Sequence, residues 1–327
     1  MKGRDYVALI LLEGVDGGGK STLANRIADT FTFLTEDEPN PPVLIRIHKG
    51  KPTPNLDAFQ EYELPLERFN LRDLIRSKRD LVIMDRWHAG EKPYGELYRN
   101  HSRLDTAGLL HVEMTLTAFG AVKVLVQPDD VDIVKMRLRE RGEDFLQPQH
   151  VDQVHRWYEA LRKLHGYVRV TDTAPSELIQ LARDRALGDD PTVPRSWPGY
   201  IGSAVPRLLL VGDQRNDGPR ARHEFVRAFT PCVNGSSAHY LMRTLTLASM
   251  TTNVGIVNAH EPGVDLALIG KIEPKPAVVA LGRLASKSLE DAGVEHEAVP
   301  HPQWVRRFRN KHMAWYAQEI MKAGKWK

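Results

Sequence analysis

Residues 7–12 (VALILL) form an unbroken apolar run, and Leu23, Ala24, Ile27 and Ala28 then recur at helical spacing. Such a run is the signature of a strand buried on both faces, and such a spacing that of a helix with one apolar side. The alternation continues, with strands expected at 43–47, 81–84, 121–126 and 167–170. Helical patterns fall at 66–76, 109–119, 131–141 and 151–164. Strands interleaved with helices of this length predict βαβ units around a parallel sheet over residues 1–187.

The pattern then breaks. Residues 188–207 hold four prolines and three glycines without a sustained period, so 188–206 are expected to be a linker. Beyond it, residues 207–327 resume the alternation. Strands are expected at 208–211, 255–257, 266–269 and 277–281, and helices at 285–292 and 306–321. The expected fold is therefore α/β twice over, a larger parallel-sheet unit followed by a smaller one. A length of 327 residues agrees with two cores better than one.

Composition narrows the class. Hydrophobic residues at 42% and charged residues at 27% are ordinary globular values and argue against a fibrous or disordered chain. No apolar run reaches the ~20 residues that span a bilayer, and the N-terminus passes directly into a strand, so a cytoplasmic location is expected. The single cysteine, Cys232, excludes an internal disulfide framework. Charge is unevenly placed. Residues 301–327 carry seven lysines or arginines against one acid, Glu319, so the first 300 residues hold −3 of an overall +3. Trp304, Phe308, Trp315, Tyr316 and Trp326 are interleaved with that charge, a pattern that suits contact with a phosphate backbone and also a solvated amphipathic helix.

The sharpest chemical signal is EGVDGGGKST at residues 13–22. Gly14 to Ser21 satisfy G-x-x-x-x-G-K-[ST] at every fixed position, after an expected strand and before an expected helix. In that setting Gly14, Gly17, Gly18 and Gly19 turn backbone N–H groups toward phosphate oxygens. Lys20 reaches the β- and γ-oxygens, Ser21 ligates Mg²⁺, and Thr22 continues the helix N-terminus. ATP with Mg²⁺ is the expected ligand. Asp85 closes the strand LVIMD and is placed to be the second magnesium ligand, with Arg86 beside it facing the transferred phosphoryl group. Arg137, Arg139 and Arg141 lie two residues apart and cannot share one helical face, so one or two of them are expected to form a lid over the phosphates.

These segments, in this order, resemble the thymidylate kinase branch of the P-loop nucleotide kinases over residues 5–185. The resemblance implies that Asp16 approaches the acceptor, that Arg137 and Arg141 belong to the lid, and that Phe69 and Arg72 stack on and read a base. Two stretches depart from that pattern, RIHKGKPTPN after the second strand and DRWHAGEKPYGELYR after the third. The phosphate-donor half is kept and the acceptor half is rewritten.

The second unit is similar to the uracil-DNA glycosylase superfamily over residues 206–322. The likeness rests on RLLLVGDQRND, which sets Asp213 and Gln214 after a strand, and on the later His301-Pro302-Gln303 loop. Gln303 stands where that superfamily has serine, which speaks against glycosylase activity. The resemblance implies a unit that contacts DNA through Asp213, Gln214, His301, Gln303, Arg306 and Arg307. A nucleotide kinase joined to a base-handling unit points to a base already in DNA as acceptor. The alcohol of 5-hydroxymethyldeoxyuridine is the leading expectation, a logic that resembles bacteriophage DNA hypermodification. Glu91 and Asp16 are candidates to accept the alcohol's proton. Two alternatives stand beside it: a kinase of free thymidylate, and a glycosylase or base-binding protein with a regulatory nucleotide-binding unit.

Overall fold

The computed structural model describes residues 8–39, 41–49, 61–62, 80–142, 146–170, 174–186, 197, 199–213, 236–308 and 312–326. Phe69, Arg72, Gln214, Cys232 and the helix expected at 66–76 lie outside them.

Five parallel strands build the first sheet: β1 (Ala8–Glu13), β2 (Leu44–His48), β3 (Leu81–Asp85), β4 (Val122–Leu125) and β5 (Val168–Arg169), in the order β2-β3-β1-β4-β5. Every residue of β1 is buried, as its unbroken apolar run requires. Alternate residues serve opposite faces, Leu9 and Leu11 one core and Ala8, Ile10 and Leu12 the other. Each such side chain contributes about 1.5–3 kcal/mol by leaving water. The helices of this unit are α1 (Lys20–Thr35), α2 (Glu91–Arg99), α3 (Thr106–Ala118), α4 (Val131–Arg141), α5 (Val151–His165) and α6 (Pro175–Ala186). Leu12 pairs with Asp85, which brings the ends of β1 and β3 side by side at the carboxyl edge.

A second sheet has the order β10-β9-β7-β8-β6, with β6 (Ile201–Gly202), β7 (Leu208–Gly212), β8 (Val254–Asn258), β9 (Ala277–Leu281) and β10 (Glu297–Val299). Its pairs are parallel except β6 with β8. Around it lie α7 (Ser237–Leu247), α8 (Arg283–Asp291), α9 (Pro302–Phe308) and α10 (Met313–Ala323).

Three expectations are corrected. Residues 266–269 are not a strand: Leu266–Lys271 is a 3-10 turn whose first amides are capped by the Asp265 carboxylate, which accepts from the N–H of Ala267 at 3.0 Å. Leu266 and Ile269 are three residues apart and both buried, because side chains at that spacing eclipse in a 3-10 turn. The single helix expected at 306–321 is two, α9 beginning at Pro302 and α10 at Met313, the proline fitting a first turn where no amide is needed. The expected linker is in part structural. Tyr200 and Ile201 are fully buried, and β6 pairs with β8 through Gly202 and Gly255. A Cβ on Gly202 would lie 2.1 Å from the Val254 carbonyl oxygen, and one on Gly255 2.1 Å from the Tyr200 hydroxyl. Gly202, which counts toward linker composition, and Gly255 opposite it are here the condition for close strand and ring packing.

Helix α3 joins the two units. Leu109, Val112 and Leu116 enter the core of the first, while Ala107, Leu110 and Met114 enter that of the second. A helix apolar on both sides must be buried on both sides. The Asp105 carboxylate caps α3 by accepting from the N–H of Gly108 at 2.9 Å and also meets His239 of α7. Burial pushes that carboxyl up, and the Gly108 N–H with His239 outweighs it and holds the group below its ordinary value. No described helix is long and apolar enough to cross a membrane.

Candidate active site

The loop between β1 and α1 folds as its glycines dictate. Gly14 has φ +143° and a Cβ there would sit 2.2 Å from the Val126 carbonyl oxygen, while Gly19 has φ +100° at the start of α1. Only glycine meets both demands at residue 14. Lys20 is buried, and its ammonium donates to the carbonyl oxygens of Gly14 and Val15, each at 2.7 Å. Burial foremost, with Arg86 as the next cause, lowers its pKa to about 8.

Ser21 Oγ donates to Asp85 Oδ2 at 3.0 Å, so the two expected magnesium ligands meet. Asp85 is 1% exposed, and its Oδ1 has no hydrogen-bond partner among the described residues. A hydroxyl beside a buried carboxylate with a spare oxygen is an oxygen donor set that fits magnesium, which takes one or two protein ligands and fills the rest with phosphate and water. From β2, Arg46 and His48 also approach Asp85 Oδ2, at 3.7 and 3.4 Å. Both belong to the rewritten RIHKGKPTPN stretch.

Arg86 adopts φ +68°, an uncommon conformation for a residue with a side chain, and its guanidinium pairs with the Asp16 carboxylate. Burial disfavours the guanidinium's charge, but Asp16 outweighs that and raises its pKa. The N–H of Asp16 donates to the Tyr94 hydroxyl at 3.2 Å. Arg137 of α4 donates to the Gly17 carbonyl oxygen at 3.1 Å, so one of the three arginines expected to form a lid touches the glycine loop, whereas Arg139 and Arg141 are exposed.

Glu91 is engaged on both carboxylate oxygens. Its Oε2 receives the Tyr62 hydroxyl at 2.7 Å, while Oε1 receives the Arg103 N–H at 3.0 Å and the Arg99 guanidinium. Both oxygens are occupied, so its place is to fix α2 against the following loop. Glu13 was not singled out from the sequence, and it is the more unusual group. It ends β1 directly before the phosphate loop and is 1% exposed. Oε1 receives the N–H groups of Trp87 and Ala89, at 2.8 and 3.2 Å, and Oε2 has no partner among the described residues. Burial raises its pKa. A carboxylate closing an otherwise apolar strand was the available signal.

A second polar set occupies the carboxyl edge of the second sheet. Asp213 follows β7 and its Oδ1 meets His260 Nδ1 at 2.8 Å. Asn258 ends β8, is 1% exposed, and its Nδ2 lacks a partner among the described residues. His301 follows β10. Its Nδ1 accepts from the N–H of Gln303 at 3.1 Å, and burial, opposed by Asp213, lowers its pKa, so the ring is neutral with Nε2 bearing the proton. The structure thus places Asp213 near His301, with Gln303 bonded to His301, and sets Asn258 and His260, which were not anticipated, on the adjoining strand end. Gln303 and Arg307 are exposed and Arg306 half-buried on α9, beside Trp304 and Phe308, which are 44% and 71% exposed with ring centroids 5.8 Å apart.

No protein-family model matches the chain. In sequence it is similar to a thymidylate kinase of Xanthomonas oryzae pv. oryzae, 25% identical over 224 residues that cover 62% of this chain and 94% of the relative. It is also similar to the SPbeta prophage-derived uncharacterized protein YorR of Bacillus subtilis, 27% identical over 182 residues, 54% of this chain and 96% of that one. Among solved structures, YorR in complex with phosphorylated GDP aligns with a TM-score of 0.36 at 23% identity, covering 53% of this chain and 91% of that one. Deoxyadenosine kinase from M. mycoides aligns with a TM-score of 0.30 at 12% identity, covering 54% and 97%. The likeness to nucleotide kinases covers about half of the chain, in its N-terminal region, and that region has an α/β fold with a parallel sheet.

Proposed function

We propose that this chain is an ATP-dependent phosphotransferase whose acceptor is the hydroxymethyl oxygen of 5-hydroxymethyldeoxyuridine in DNA. The observation that carries the kinase reading is the meeting of Ser21 and Asp85 beside the buried Lys20. A magnesium ion held by Ser21 and Asp85 would offset the charge of the β- and γ-phosphates. Lys20, once its ammonium leaves the Gly14 and Val15 carbonyls for phosphate, gains in pKa and adds positive charge where the transition state spreads negative charge. The acceptor alcohol oxygen forms the new bond to the γ-phosphorus, the bond from that phosphorus to the β,γ-bridging oxygen breaks, and ADP leaves. The alcohol's proton passes to a carboxylate or to solvent. Of the two expected acceptors, Glu91 already takes three hydrogen bonds, which favours Asp16, and Arg86 beside Asp16 neutralises charge on the transferred group.

The DNA acceptor draws its support from the second edge. Asp213, Asn258, His260 and His301 offer donors and acceptors of the kind that read a base edge, and Arg306, Arg307, Trp304 and Phe308 offer charge and stacking surface. The second reading, a kinase of free deoxynucleoside monophosphate, is favoured by the similarity to thymidylate kinase over nearly the whole length of that relative.

One experiment separates them. The protein is incubated with γ-labelled ATP and Mg²⁺ and, in parallel, thymidylate, unmodified DNA and DNA containing 5-hydroxymethyluracil. Label in the modified DNA alone is the expected result. Label in thymidylate alone establishes the second reading instead, and release of free base without transfer of label points to glycosylase chemistry.

A further inference from the structure

The carboxyl edge beside the phosphate loop carries a nitrogen donor that the magnesium reading leaves unused. Strand β2 runs parallel to β3 in a register that sets Ile47 opposite Met84 and His48 opposite Asp85. Ile45 and Ile47 pack against the core on one side of the sheet, which puts Arg46 and His48 on the other face of their strand. That register brings the imidazole to the carboxylate. His48 Nδ1 lies 3.4 Å from Asp85 Oδ2, and Ser21 Oγ lies 3.0 Å from the same oxygen. Asp85 is 1% exposed and its Oδ1 has no partner among the described residues, so a buried carboxylate keeps an acceptor in reserve at this point.

The spacing suits a shared ion. Two donors side by side at ~2.1 Å from a six-coordinate cation stand about 3 Å apart. The Ser21 hydroxyl and the His48 nitrogen both stand from Asp85 Oδ2 at close to that separation. The His48 side chain is 57% exposed, so it can turn onto an ion without disturbing the core.

Arg46 bears on how the ion arrives. One guanidinium nitrogen lies 3.7 Å from Asp85 Oδ2 and the other donates to Asn25 of α1. A guanidinium there matches Asp85 before nucleotide binds and repels a bare cation. Among the described residues no group of three His, Cys, Asp or Glu side chains is arranged to hold an ion. The ion therefore comes with the nucleotide, whose phosphate oxygens supply the ligands that the protein lacks.

We propose that His48 is a third protein donor at the Ser21–Asp85 metal position, and that its nitrogen tilts the site from magnesium toward divalent transition ions such as cobalt or manganese. An imidazole adds more to the binding of those ions than to that of magnesium, which prefers oxygen. The inference rests on the metal position of the proposed function, which it deepens, and it is independent of the acceptor.

The test uses the full chain loaded with Mn·ADP and read by pulsed electron paramagnetic resonance. Modulation from a coordinated imidazole nitrogen is expected in the wild type. Growth on ¹⁵N-histidine should change its frequency, and His48→Ala should abolish it. By calorimetry with preformed complexes, Co·ADP is expected to bind the wild type about tenfold more tightly than Mg·ADP, and His48→Ala and His48→Gln to bring the two within about twofold. The nitrogen signal is read in the wild type, so a variant that folds poorly leaves the test standing. Mn·ADP bound without that signal, a signal that survives His48→Ala, or a cobalt preference that is absent or unchanged in both variants would each overturn His48 as a ligand while leaving the nucleotide site in place. Failure of every metal·ADP complex to bind would overturn both.

Discussion

The two carboxyl edges handle polar groups in opposite ways. At the first, Glu13, Asp16, Lys20 and Asp85 are all under 5% exposed and lie within one charge network around a contiguous glycine loop. At the second, a half-buried Asp213 (19% exposed) pairs with an exposed His260 (57%), and the groups come from the ends of β7, β8 and β10. Burying charge is costly unless each group is matched, so a deep charged edge is justified by a ligand that is itself highly charged and compact, as a polyphosphate is. A shallow edge flanked by exposed rings and arginines suits a flat, extended partner whose charge stays largely in solvent.

If that contrast holds, perturbations at the deep edge should be severe and those at the shallow edge mild. Removing Glu113, the acid that matches His88 and Lys123 behind the deep edge, should have the largest effect on folding. Glu113→Ala leaves a buried ammonium without its partner and is expected to lower stability by about 3–5 kcal/mol, read from denaturant unfolding. The wild-type pH profile sharpens the same point. A carboxyl whose folded pKa is depressed stabilises the fold above its unfolded value, and that share is lost as pH falls below about 4.5. His165, lowered from 6.5 to about 4, favours the folded state above pH 6.5 and loses that contribution as pH falls toward 4. Acid unfolding midpoints between pH 7 and pH 4 should therefore decline steeply.

Next in size, Lys20→Ala should cut ATP turnover by about 10²–10³-fold while the melting temperature stays within a few degrees, because a buried cation is removed along with its ligand role. Smaller again is the effect of alkali on the same residue. With Lys20 at about 8 in the free protein, Mg·ADP affinity measured calorimetrically should fall by up to about tenfold for each pH unit above 8, since the neutral amine binds phosphate poorly. The smallest expected change is at the shallow edge. Trp304→Ala, at a 44% exposed position, should leave folding intact and weaken oligonucleotide binding by about 1 kcal/mol, the low end for one stacked base, in a titration. An equal loss of ATP turnover in that variant would break the contrast between the edges.

Legibility followed contiguity. The phosphate loop, Asp85 and the strands of the first sheet were readable because each is a local pattern: glycines at fixed offsets, or an apolar run closed by an acid. Glu91 read as a candidate carboxylate from the sequence, and only the structure shows that Tyr62, Arg99 and Arg103 approach its two oxygens. The 3-10 turn at Leu266–Lys271 looked like a strand because four apolar residues in five have no period long enough to separate the two. Gly202 read as part of a linker, whereas its lack of a Cβ, with that of Gly255 opposite, is what lets β6 and Tyr200 pack onto β8.

The amino-acid sequence by itself determined the alternating elements and the glycine loop that ends in Lys20, since these depend on neighbours within about ten positions, and the βαβ order of those elements implied the parallel pairing of strands far apart in the chain. Tertiary structure decided which carboxylates are free, that α3 belongs to two cores, and that Asp213, Asn258, His260 and His301 share an edge. Those outcomes depend on groups up to 134 positions apart, as Asp105 and His239 are. The energy of a buried charge or a shared helix is set by what surrounds it in space, and residue order does not record that.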